Sequence, residues 1–257
     1  MNKPIGNLGL TPSQMVGGWS NVLRLLEKSG LSCDDQRIVI NDPAARKRLV
    51  RYWGHGCHEP TTSQKRACEI MGQNFLGIEE VMEHFVAKLS KKKQSALAEI
   101  PYPESVLEAL KDTHILVASH PLNILEIRSR VPQGTFSNYG NAWYNDHKFA
   151  QKKSRLAWLF IRKDAVPGSI SKNYDEQCAL LSKEEEVPRA VEVVYLMTLY
   201  LRARGEKLFS RVWVRTDSLS SRGLRVSVVF GDGRLFINDW HDDGRYVSLG
   251  LASSQKF

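Results

Sequence analysis

Long apolar runs are missing from this chain of 257 residues. The longest, VVYLMTLYL at 193–201, contains Thr198 and falls far short of the roughly 20 residues that a membrane-spanning helix needs. The opening residues, MNKPIGNLGLTPSQ, hold no apolar stretch of the kind a secretory signal requires, so a cytoplasmic protein without a membrane partner is expected. Cysteine is scarce: Cys33, Cys57, Cys68 and Cys178 are expected to be free thiols rather than a disulfide framework. No glycine-rich phosphate loop, nucleophile elbow or dinucleotide fingerprint occurs, which removes the common nucleotide-binding and serine-hydrolase readings. No internal repeat is present, so a solenoid is excluded. No cofactor is expected.

What is present is the balance of a globular protein, with 42% hydrophobic and 25% charged residues. The formal net charge is +8, which permits nucleic acid or an acidic partner without requiring either. Residues 1–95 hold 14 Lys+Arg against 9 Asp+Glu, and residues 96–257 hold 22 against 19, so the first part is the more basic per residue.

The pattern changes from helical to mixed along the chain. TPSQ at 11–14 and TTSQ at 61–64 are capping boxes, in which a Thr side chain caps the helix and a Gln reaches back. Helices are expected from Thr11 to Gly30, from Asp42-Pro43 to Trp53, from Thr61, and over about 77–90, where Ile78, Val81, Met82, Phe85 and Leu89 form one stripe. SKKKQ at 90–94 reads as a solvated charge run and the domain boundary. A short helix follows from Pro103 to Leu110. Strands are expected at 113–120, 156–163, 207–216, 224–230 and 234–240, the last two joined by a GDG hairpin turn. The segment 188–204 is apolar almost all round and should be a central buried helix that ends at Gly205. The expectation is an α+β fold: a basic all-helical domain over 1–95, then an α+β domain over 96–257 with a mixed or antiparallel β-sheet packed on that helix.

The stretch SISKNYDEQCALLSKEEEVPRA (169–190) is dense in polar groups, and helix punctuation explains most of it. Asn173 with Glu176, and Ser182 with Glu185, have capping-box spacing. Pro188 can begin the long helix, with Glu184–Glu186 at its positive end. Lys172 and Asp175 are left over. They join Asp239, His241, Asp242 and Asp243 of NDWHDDGR as the candidate polar site, since carboxylates and a His can hold a divalent metal for hydrolysis. Asn, Asp and Gly are also ordinary turn residues.

Two further constellations carry chemistry. His55, Cys57, His58 and Cys68 are zinc-ligand types, but their spacing fits no common finger, and no metal is expected. Arg46, Lys47, Arg48 and Arg51, with Tyr52 and Trp53 beside them, could bind phosphates and stack on bases; the plainer reading is a solvated basic face. The stretch 61–85 has a helix–turn–helix outline, but Glu79, Glu80 and Glu83 would face phosphates with like charge.

From about residue 71 onward the chain resembles a family of bacterial hypothetical proteins with no assigned activity. The resemblance rests on MGQNFLGIEEVMEHF, ALAEIPY, DTHILVA, SKNYDEQCALLSKEEEVPRA, GEKLFSRVWVRT and GRYVSLGLASSQKF; Tyr174 and Trp213 stand where other aromatics are expected. It implies no cofactor and no catalytic residue. The expected function is a non-enzymatic cytoplasmic binding or regulatory protein with an unknown protein or acidic partner. The alternatives are nucleic-acid association through 45–53 and a metal-dependent hydrolase built on 239–243.

Overall fold

The computed structural model describes residues 41–43, 58–85, 89–137 and 140–256. Residues His58–Phe257 form one compact unit. It opens with helix α1 (Thr62–Met71), whose N terminus carries the expected capping box: Thr61 Oγ1 accepts from the Gln64 N–H and Gln64 Oε1 accepts from the Thr61 N–H. A short strand β1 (Phe75–Leu76) and helix α2 (Ile78–Phe85) follow. The helix–turn–helix outline does not hold, because Phe75 and Leu76 pair in parallel with Leu116 and Val117 and tie the connection into a sheet.

The lysine run is not an open linker. It folds as helix α3 (Lys91–Ala96), with Ser90 Oγ accepting from the Lys93 N–H, and buried Leu89 and Leu97 anchor its two ends. One hydrophobic cluster runs from Ala67 through Phe85 and Leu107 to Ala252. The 95/96 division therefore falls inside this unit, whose core draws on residues from both sides of it.

Helix α4 (Glu104–Leu110) leads into strand β2 (His114–Ser119); helices α5 (Ile124–Ser129) and α6 (Lys148–Gln151) precede strand β3 (Ala157–Arg162). Helix α7 (Tyr174–Cys178) and strand β4 (Glu185–Glu186) lead to the long helix α8 (Ala190–Arg204). Strands β5 (Trp213–Leu219), β6 (Arg225–Gly231), β7 (Arg234–Trp240), β8 (Leu249–Leu251) and β9 (Ser254–Gln255) complete the chain. They form two sheets rather than one, in the orders β1-β2-β3-β9-β4 and β7-β6-β5-β8. Each is mixed, with β1–β2 and β5–β8 parallel and the remaining pairs antiparallel.

Helix α8 packs against strands of both sheets and is buried from Ala190 through Tyr200. Its uniform apolarity is thus the signature of a helix with neighbours on every side. Gly205 stops it in the left-handed region at φ 76°, where glycine pays no steric cost. The helix starts two residues after Pro188, and Glu185–Glu186 pair with Ser254 and Gln255 instead of sitting on its first turn. The carboxylate at its positive end is Glu192, which is 1% exposed and held by Arg155 and Arg189 at 2.9 and 2.7 Å. Burial opposes its charged form, but the two guanidiniums win and keep its pKa below the usual carboxylate value.

In the β6–β7 hairpin Asp232 and Gly233 take φ values of 46° and 79°, the two positive angles that a tight two-residue hairpin turn demands. The first part of the expected strand at 207–216 is different: residues 207–212 are an irregular wall, and β5 begins only at Trp213.

Candidate functional site

The candidate polar residues fall on opposite faces of the second sheet. Side chains alternate along β7, so Asp239 lies on the inner face with Leu235 and Ile237, and Asn238 and Trp240 lie on the outer face. Asp239 is bonded to Arg222 at 2.6 Å, whereas Asp242, in the loop after β7, is held bidentately by Arg225 at 3.1 and 2.8 Å. The two carboxylates do not converge. Among the described residues no group of three or more His, Cys, Asp or Glu side chains is placed to hold a metal ion. The geometry therefore gives the hydrolase alternative no support.

What does join the two polar loops is Arg215 on β5, which composition and spacing did not single out. It is fully buried. Its guanidinium donates to the carbonyls of Lys172 (3.1 Å), His241 (2.9 Å) and Gly244 (2.7 Å) and to Gln177 Oε1 (2.9 Å). Lys172 and His241 thus enter through their backbones, not their side chains. Arg225 lies 3.8 Å from the centroid of the Tyr174 ring while holding Asp242, and Arg245 binds Glu176 at 2.5 Å. The capping box of α7 is formed as expected, with Asn173 Oδ1 accepting from the Glu176 N–H. Ser182 differs: only its N–H reaches Glu185, at 3.1 Å, and no helix follows. Asp175 on α7 and Asp243 in the turn are both exposed, and neither has a side-chain partner among the described residues. This region is a clamp that fastens residues 169–178 and 241–246 to the sheet.

A Ser–His contact also occurs. His147 Nδ1 accepts from the Ser221 N–H and lies 3.2 Å from Ser221 Oγ. A nucleophile–base pair needs a third group to orient the base. None is found on His147 among the described residues, where the ring instead packs on Trp143 and Phe149. The contact ties the β5–β6 turn to the start of α6.

A concave site of another kind lies between two walls, residues 163–170 and 207–212, and encloses about 470 Å3. The first wall leaves β3 and crosses to β8, pinned by Lys163 N–H to Thr113 O and by Val166 N–H to Leu251 O, both at 2.9 Å. Gly250 permits the crossing: a Cβ there would sit 2.7 Å from Ala165 Cβ and 2.9 Å from Ser169 Oγ. The second wall follows Gly205. Phe209 holds it in place with a buried ring and a carbonyl that accepts from the Phe230 N–H at 3.1 Å. Phe209 has φ 51°, a left-handed conformation that costs a bulky residue about 1 kcal/mol or more.

Lys163, Lys207 and Arg211 line this cleft, against one acid, Asp164. None of the four side chains has a hydrogen-bond or ion-pair partner among the described residues. Ala165, Ile170, Leu208, Phe209 and Val212 supply apolar surface, with Ile170 40% exposed. No His or Cys lines it, and Ser210 is its one hydroxyl. The volume is that of ordinary small-molecule sites, and three uncompensated cations in a concavity concentrate anions. A sequence signal existed only as three cations in two distant segments, Lys163 and Lys207–Arg211, with nothing to show that they meet.

The remaining candidates divide plainly. Arg46, Lys47, Arg48, Arg51, Tyr52, His55 and Cys57 lie outside the described residues. His58 and Cys68 share a small cavity of about 110 Å3 with Glu79 and Glu80. Cys68 and Cys178 are free thiols, and burial pushes both thiol pKa values up, away from the reactive thiolate. Among the described residues no helix is long and apolar enough to cross a membrane. Compared with protein-family models, curated proteins and solved structures, the chain matches none.

Proposed function

We propose that the protein is a non-enzymatic, cytoplasmic binding protein, and that its ligand is a small organic anion taken up in the cleft between residues 163–170 and 207–212. The observation that carries this reading is the set of three unpaired cations, Lys163, Lys207 and Arg211, around a cleft with an apolar floor. On β5 and β6 the arginines Arg215 and Arg225 are spent on backbone carbonyls and on Asp242; in the cleft the positive charge is free. A ligand with two negative charges would neutralise three cations set against one acid, and an attached apolar or aromatic group would cover Ile170, Leu208 and Phe209.

The test is calorimetric titration with inorganic phosphate and with AMP, on the wild-type chain and on a Lys207→Glu/Arg211→Glu variant. Saturable binding that is tighter for AMP and weakens at least tenfold in the variant is expected. Neither substitution removes a side-chain hydrogen bond or ion pair among the described residues, so the variant should melt like the parent. Absence of saturable binding, or equal binding by the variant, would refute the reading.

A further inference from the structure

Arg215 presents a problem that its four hydrogen bonds do not solve. All four acceptors are neutral oxygens, three carbonyls and one amide, so the buried guanidinium has no carboxylate in contact. Asp242 comes nearest in effect, but both its oxygens are committed to Arg225. Buried charges are as a rule paired, because leaving one alone in a low-dielectric interior is expensive. The fifth donor, Nε–H, is buried and has no partner among the described residues.

Two more polar atoms in the same condition stand on the same face. Ser227 Oγ is buried and unpartnered, and Ser227 is the register partner of Arg215 across β5 and β6. Trp240 Nε1 is also buried and unpartnered. Trp240 pairs with Arg225, two residues from Ser227 on the same side of β6, so the three residues occupy neighbouring positions on three consecutive strands. The Trp240 ring lies 6.2 Å from that of Trp213 and 4.8 Å from that of Tyr246. Trp213 is two residues before Arg215, so both stand on this face of the sheet.

We infer that Arg215 Nε, Ser227 Oγ and Trp240 Nε1 form a buried binding site for one small monovalent anion of halide size. Two N–H groups and a hydroxyl on neighbouring positions can donate, and the charge beside them is positive. A neutral water could satisfy the same donors but would leave that charge uncompensated, which favours an anion. The ion supplies the counter-charge that the carbonyls do not. The three donor atoms are buried beside the packed rings of Trp213, Trp240 and Tyr246, which favours a small ion over a polyatomic one such as sulfate. The site is separate from the basic cleft, whose lining includes none of the three residues.

The test is thermal melting at constant ionic strength in chloride, bromide and gluconate, joined to anomalous diffraction from crystals grown in bromide. Melting about 3 °C higher in chloride or bromide than in gluconate, saturating with concentration, is expected for an ion present at several times its Kd. A bromide peak within hydrogen-bond distance of Arg215 Nε is expected as well. Ser227→Ala and Trp240→Phe should flatten the dependence on chloride; a purely structural role would lower the melting temperature and leave that dependence unchanged. Equal melting in all three salts, or a water with no bromide signal at that position, would overturn the inference.

Discussion

Replacing Arg215 with Met should destabilise the protein by about 3–5 kcal/mol. The side chain makes four N–H···O bonds of 2.7–3.1 Å, and bonds to a charged group contribute about 1.5–3 kcal/mol each. Against their sum stands the desolvation of the guanidinium, several kcal/mol, which the Met variant no longer pays. His241 is exposed and Gly244 half-buried, so their carbonyls can partly rehydrate, which trims the loss further. Arg215→Lys should fall nearly as far, because an ammonium is a compact point and cannot span four acceptors set around a planar fork. The assay is urea unfolding followed by circular dichroism, with hydrogen exchange read at residues 241–246. A lower midpoint and faster exchange in that loop are expected. A variant within about 1 kcal/mol of the parent, with the loop equally protected, would show that the clamp contributes nothing.

Asn173→Ala should cost about 1 kcal/mol, the usual worth of a side-chain cap, and Ser182→Ala far less, since only the Ser182 backbone is engaged; paired denaturant melts decide between them. Stability should fall as the solution is acidified from about pH 6.5 to pH 4. Burial chiefly, and then Arg162 and Lys93 respectively, lower His114 and His120 to about 4, so the unfolded chain takes up protons that the folded one refuses. The loss is at most about 3 kcal/mol per histidine, complete below pH 4, and His114→Gln should flatten the profile measured by urea melts. Gly250→Ala should destabilise by about 1–3 kcal/mol and weaken AMP binding, since the added methyl drives the 163–170 wall outward; unchanged melting would refute the close approach. If the segment 45–53 touches duplex DNA through Arg46, Lys47, Arg48 and Arg51, anisotropy should show weak binding with a log–log salt slope of about −3 to −4, abolished by Arg46→Glu/Arg48→Glu.

Local chemistry was legible at four of its punctuation marks, though not at Ser182, whose capping spacing starts no helix. Thr61 with Gln64, Asn173 with Glu176, Gly205, and Asp232-Gly233 each do what their residue types require, and the apolar run at 191–201 became the helix at the centre of the core. Misreadings came where neighbours overrode local signals. Glu185 and Glu186 suit a helix start, but β9 offers them a strand to pair with. Three lysines suit a linker, but Ser90 caps them and Leu89 and Leu97 anchor them. Phe75-Leu76 is too short a strand to read without its partner, Leu116-Val117.

The sites were harder for a physical reason. Arg215 reads as one more surface cation on a strand until 172–177 and 241–244 close over it, and no pattern within one segment encodes that closure. Lys163 and Lys207–Arg211 are likewise unremarkable apart, and become a basic cleft only when the wall at 163–170 crosses beside β8. Conversely, the acidic cluster at 239–243 dissolved, because strand alternation sends Asp239 to one face and the loop carries Asp242 to the other.

The most direct measurement of the binding reading is a nitrogen–proton correlation spectrum of the labelled chain during titration with AMP. Shifts confined to amides in 163–170 and 207–212, and absent in the Lys207→Glu/Arg211→Glu variant, are expected. They should shrink as salt is added, because the cations are solvent-facing and screened. Shifts centred elsewhere, or a spectrum indifferent to AMP, would contradict the account.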